Sequence, residues 1–110
     1  MEKLIKNIEH AKGYNIKELV EYDEGKIASL TLASTANSGI TVAALDAGEK
    51  LATHAAPGDA MALVLEGEAE IVIDGVKHIV HPDEIIVMPK DIPHAVSAIT
   101  KFKMLLILVK

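Results

Sequence analysis

The chain has no cysteine and no tryptophan, and its 110 residues include only two tyrosines and one phenylalanine. Without thiols it can form no disulfide, no thiolate zinc site and no cysteine nucleophile, so any metal would have to be held by histidine and carboxylate. With so few aromatic faces it offers no stacking platform for single-stranded nucleic acid. The core must therefore be aliphatic. Positive charge is also in deficit, with a formal net charge of -5, and phosphate-backbone binding depends on clustered cations. No nucleic-acid partner is expected. The longest apolar run, Met104 to Val109, falls far short of the ~20 residues that cross a bilayer. The opening "MEKLIKNIEH" mixes charges where a secretion leader would be apolar. We expect a cytoplasmic protein without a membrane partner.

What is present is a globular composition, half hydrophobic and a quarter charged, with no low-complexity stretch. A chain of this length buries roughly 60 to 70 % of its unfolded surface and supports one core. Glu2 to Ala11 reads as a short helix, with Leu4, Ile5 and Ile8 at helical spacing and Gly13 to end it. Strand signals follow in "KIASLTLAS" and "GITVAALDA", separated by the turn-forming "TANS". Turn signals then recur at Ala47-Gly48, Pro57-Gly58, Glu66-Gly67, Asp74-Gly75, His81-Pro82-Asp83 and Pro89 to Pro93. Short strands at such spacing indicate an all-β sandwich or barrel.

The clearest local element is "EAEIVIDGVKHIV", in which Asp-Gly between two β-rich runs predicts a two-residue type I′ hairpin. The turn sets the register: Ile73 faces Val76, Ile71 faces His78 and Ala69 faces Val80, all on the core side. His78 is then a packed histidine turned inward, His81 is solvated in the following turn, and His10 belongs to no pattern. The final "KFKMLLILVK" is apolar on both faces from Met104 to Val109, as in a strand buried on both sides. One face would meet the barrel interior. The other would be covered by the N-terminal segment or by a second subunit, and a homodimer is expected.

Two further histidines carry the functional question. In "THAAPGDAMALVLEGE" (Thr53 to Glu68), strand alternation puts Ala52, His54 and Ala56 on one face. In "PHAVSA" it puts His94 with Val96 and Ala98. The two histidines can meet only if their strands are neighbours.

The order of these features resembles the small single-domain cupins. Their first motif has the form G-x5-H-x-H-x3,4-E-x6-G and their second G-x5-P-x-G-x2-H-x3-N. The first falls on Gly48, His54, Ala56 in place of the second histidine, Ala60 in place of the glutamate, and Gly67. The second falls on Asp83 in place of glycine, Pro89, Asp91 in place of the next glycine, His94, and Ala98 in place of asparagine. The spacing is kept in both, and the resemblance covers roughly Thr41 to Val109. It implies a single domain with a cupin-type double-stranded β-helix (jelly-roll) barrel. Residues 41–110 would be its core, and residues 1–40 would supply an N-terminal helix or arm and the first strands packed on it.

The resemblance also implies a metal held by the motif histidines and glutamate, of which only His54 and His94 carry over. Asp59 stands beside the vacant carboxylate position but alternates to the opposite face. A two-imidazole site would hold at most a weakly bound divalent transition metal such as Zn, Ni, Fe, Mn or Cu. The missing side chains leave room, and Ala52, Ala56, Ala60 and Ala98 would line a cavity with Leu63, Met61, Met88 and Val96. An apolar pocket with a few polar groups is the usual form of a small-molecule site, and histidine can act there as acid or base.

Three readings follow. The preferred one is a small-molecule-binding cupin with an incomplete metal shell and an unknown ligand. The alternatives are a metal-dependent enzyme of dioxygenase or isomerase type, its coordination completed by water, substrate or another residue, and a protein-interaction module. There is no G-x-S-x-G elbow, P-loop or G-x-G-x-x-G run.

Overall fold

The turns divide the chain into antiparallel strands: β1 (Ile27–Ser34), β2 (Ser38–Leu45), β3 (Lys50–His54), β4 (Asp59–Glu66), β5 (Ala69–Ile73), β6 (Val76–Val80), β7 (Ile85–Met88), β8 (His94–Ala98) and β9 (Phe102–Val109). The computed structural model describes residues 3–110. A five-stranded sheet, ordered β1-β2-β9-β4-β7, packs on a four-stranded sheet, ordered β3-β8-β5-β6, in a jelly-roll barrel. Among the described residues the only helix is a single 3-10 turn at Ile16–Glu18, and no helix is long and apolar enough to cross a membrane.

Turn chemistry sets the strand boundaries. Asp74 and Gly75 both take positive φ, 49° and 79°, as a type I′ turn requires. The β5–β6 hairpin has the register read from the sequence, Ile73 opposite Val76, Ile71 opposite His78 and Ala69 opposite Val80. The four motif positions occupied by Gly48, Gly67, Asp83 and Asp91 all have left-handed backbones, at 82°, 78°, 69° and 62°. Aspartate tolerates that conformation better than most residues, which is how the second motif keeps its turns without glycine. Gly67 has no such latitude, because a Cβ there would collide with the Lys101 carbonyl and Phe102.

The alternation of β9 divides the apolar residues between two cores. Phe102 and Met104 point between the sheets with Leu45, Val64, Ile71 and Val80, all buried. Leu105 points outward and joins a second cluster with Val20, Leu32, Val42 and Ala44. The N-terminal segment closes that cluster through Ile5, Ile8, Ile16, Leu19 and Tyr22.

The helix expected over Glu2 to Ala11 does not form. Over the described part of that stretch the chain is an irregular arm, broken by positive φ at Asn7 (68°) and Ala11 (57°). An isolated helix of so few residues is marginal in water, and the arm instead bonds to the sheet edge. Lys6 N–H donates to Leu32 O at 2.7 Å and Asn7 Nδ2 to Thr31 O at 2.6 Å. His10, which fits no sequence pattern, donates from Nε2 to Ile5 O at 2.7 Å and pins the arm to itself.

The arm also buries a cation. Lys103, on the outer face of β9, is only 6 % exposed; its Nζ donates to the Lys17 carbonyl and lies 4.9 Å from the Tyr22 ring centroid. The Tyr22 hydroxyl donates to a Glu66 carboxylate oxygen at 2.7 Å. Burial, and then this carboxylate, push the Tyr22 phenol far above its usual range.

Candidate functional site

A cavity opens between the sheets at the end where β3 and β8 meet β4, β7 and β9, with a volume of about 170 Å³. Its wall is aliphatic apart from two imidazoles. β3 and β8 are hydrogen-bonded neighbours, with Leu51 opposite Val96 and His54 opposite His94. Three steps along β3 thus match two along β8, which places a bulge at Ala52 and Thr53. The bulge resets the alternation, so Leu51 and His54 both line the cavity.

The two rings stand edge-on, centroids 4.5 Å apart and planes at 67°. His54 is exposed at the mouth, and His94 is buried, 4 % exposed, in the wall. Each ring is held in the same way. His54 Nδ1 is 2.9 Å from Ala52 O, and His94 Nδ1 is 3.2 Å from Ile92 O. A carbonyl oxygen only accepts, so each Nδ1 carries the proton and each neutral ring keeps its lone pair on Nε2. Burial first, and the facing His54 second, hold His94 below its ordinary pKa, with the Ile92 hydrogen bond opposing both.

Of the residues singled out from the sequence, His54, Ala56, Ala60, Met88, His94 and Val96 line this cavity. Leu63 does not. Along β4 the inward residues are Ala60, Ala62 and Val64, so alternation carries Leu63, and Met61 with it, to the outer face of the sheet. Ala52 is exposed at the bulge, and Ala98 is packed in the core away from the cavity. Leu51, Met104, Leu106 and Leu108 complete the wall and were not assigned to it from the sequence. The alternation of the final strand carries the signal for the last three. Leu51 was hidden by the bulge.

The other histidines lie elsewhere. His78 is half-buried on β6 opposite Ile71, outside the cavity wall. His81 is exposed, with Nδ1 3.0 Å from Glu84 and Nε2 3.6 Å from Glu68. Hydrogen bonds from the His81 backbone, and then from its ring, draw the exposed Glu84 carboxyl below its usual value.

Comparison with known proteins decides the family, because the model of the cupin domain matches residues 41–110. The chain belongs to the cupin family. No curated protein matches this cupin. It is similar to a solved structure of a conserved protein of unknown function from Streptococcus pyogenes, 43 % identical over 99 % of this chain and 96 % of that one, with a TM-score of 0.97. It is also similar to a cupin superfamily protein from Desulfitobacterium hafniense, at 28 % identity, 96 % coverage of each chain and a TM-score of 0.90. A cupin 2 conserved barrel domain protein from Leptotrichia buccalis is 48 % identical over 88 % of this chain, with a TM-score of 0.86. This cupin spans about half of that protein, 47 % of its length.

The residues of this cupin do not fit the metal shell that the two motifs imply. Ala56 and Ala60, at the vacant histidine and glutamate positions, line the cavity and offer no donor atom. Asp59 is turned away, its Oδ1 accepting from Lys90 N–H at 2.8 Å. Among the described residues no group of three or more histidine or carboxylate side chains converges as a metal site. What remains is a pair of backbone-oriented imidazoles at one end of an apolar cavity.

Proposed function

We propose that this cupin binds a small molecule in its barrel cavity, with His54 and His94 supplying the polar contacts and the aliphatic wall supplying the affinity. The observation that carries the reading is the joint presence of an apolar space of about 170 Å³ and two imidazoles whose Nδ1–H groups are already committed to backbone carbonyls. Side chains held by a second contact are organised for binding before a ligand arrives. The metal-dependent alternative has only two protein donors to build on, and nothing favours the interaction-module reading over this one.

A thermal-shift screen of metabolites against the full chain tests the proposal. A ligand that binds the native state raises the melting temperature, and the shift is expected to shrink in His54→Ala. Ala60→Leu, which fills the cavity with an aliphatic side chain and leaves both imidazoles in the chain, is expected to abolish it. A shift retained in both variants would place the ligand elsewhere.

A further inference from the structure

The polar end of the cavity accepts hydrogen bonds and does not donate them. Both imidazoles spend their Nδ1–H on carbonyl oxygens, at 2.9 Å to Ala52 and 3.2 Å to Ile92. In the neutral pair each remaining nitrogen is a lone pair. The rest of the wall is alanine, valine, leucine and methionine, with no hydroxyl, amide or ammonium group. No lysine reaches it, and the chain contains no arginine. A carboxylate carried past His54 to the buried His94 would leave water without meeting a cation or a donor, which is costly for any ion. Protonating an imidazole to receive it is opposed at His94 by burial and by the ring of His54.

Size narrows the class further. A dry apolar cavity of about 150 Å³ holds one benzene molecule, and this one measures about 170 Å³. The occupant is thus a single small ring or branched aliphatic body with room for one or two substituents. With the imidazoles gathered at one end and Met104 and Val96 buried in the wall, its polar substituent belongs at the histidines.

We infer that the ligand is an uncharged, phenol-sized molecule with an apolar body and an O–H or N–H group that donates to Nε2 of His54 or His94, and that carboxylates are excluded. The inference rests on the reading of the cavity as a small-molecule site. It adds the polarity, charge and size of what enters.

Three probes of similar size separate the terms: phenol, which has the body and the donor; toluene, which has only the body; and benzoate, which has the body and a charge. Titrated into the full chain near neutral pH, phenol is expected to bind about tenfold more tightly than toluene, the worth of one hydrogen bond, and benzoate not to bind. In His54→Phe or His94→Leu the preference for phenol falls towards one while toluene still binds. Because His94 is buried, nitrogen NMR of the unmodified protein supplies an independent readout. Phenol should move an Nε2 resonance and leave both Nδ1–H groups protonated. Benzoate binding as well as phenol, or a phenol preference unchanged in both variants, overturns the donor inference alone. If none of the three binds, the small-molecule reading of the cavity falls with it.

Discussion

His54 and His94 are cross-strand partners on β3 and β8, their rings 4.5 Å apart, one at the mouth of the cavity and the other buried in its wall. Burial first, and the facing ring of His54 second, oppose a proton on His94, whose pKa lies below the ordinary 6.5. The unfolded chain then binds more protons than the folded one between these two values. The contribution of a neutral His94 to stability is complete above about pH 6.5 and is lost as the pH falls through its folded-state pKa. The melting temperature is expected to decline on acidification below about pH 6.5, and His94→Leu should remove part of that decline. Proton NMR of the imidazoles checks the sign directly, since a His94 that titrates above 6.5 would contradict it.

The two alanines at the family's ligand positions can be reversed. Ala56→His with Ala60→Glu restores an imidazole and a carboxylate next to His54 and His94, and a carboxylate adds charge as well as a bond. Calorimetric titration is expected to show weak, substoichiometric Ni²⁺ or Zn²⁺ binding by the native chain and at least about a hundredfold tighter binding by the double variant. Without metal the variant should melt lower, because Ala60 is buried between Met88 and Leu108 and a glutamate there has no partner. Metal should restore it. Equal affinities would mean that positions 56 and 60 do not converge on the histidine pair.

The parts of this molecule that are legible in its sequence are those governed by local rules. The Asp74-Gly75 turn sets the β5–β6 register because a two-residue hairpin admits little else. The spacing of His54 and His94 locates the cavity because both motifs keep their lengths even with alanine at two of the ligand positions. The β3 bulge is not legible in this way: nothing at Ala52 or Thr53 marks it, yet it moves Leu51 into the cavity wall. Leu63 is the opposite case, since simple alternation from Ala60 carries it to the outer face and out of the cavity wall. The arm, spaced like a helix, gains more from β1 and the second apolar cluster than from its own hydrogen bonds. The burial of Lys103 depends on where that arm lies.

The arm's attachment can be dissected at Tyr22. Its hydroxyl bonds to Glu66, and its ring packs in the outer cluster beside the ammonium of Lys103. Tyr22→Phe removes only the hydrogen bond and is expected to cost about 1 kcal/mol in chemical denaturation. Tyr22→Ala also empties the ring's place and should cost about 3 kcal/mol. Lys103→Met replaces a buried cation by a side chain of similar length, and is expected to remain within about 1 kcal/mol of the native protein. A much larger loss would give the cation a role beyond packing.

The arm covers the outer face of the five-stranded sheet over β1, β2 and part of β9, and leaves the β4–β7 end bare. There Leu63 lies opposite Ile85, and Met61 lies opposite both Val87 and Ile107, in two apolar rows that cross the strands. Ile85 is 60 % exposed and Val87 47 %. Contiguous apolar surface of this kind marks association more often than solvation, and β7 is also an unpaired sheet edge. A homodimer, expected from the doubly apolar final strand, would close this face. Sedimentation equilibrium should then give twice the 11.8 kDa chain mass, and Ile85→Lys with Val87→Lys should return the monomer without lowering its melting temperature, because neither side chain contributes to the interior. A native chain that sediments as a monomer at high concentration would sink the dimer and leave the apolar rows as bare surface.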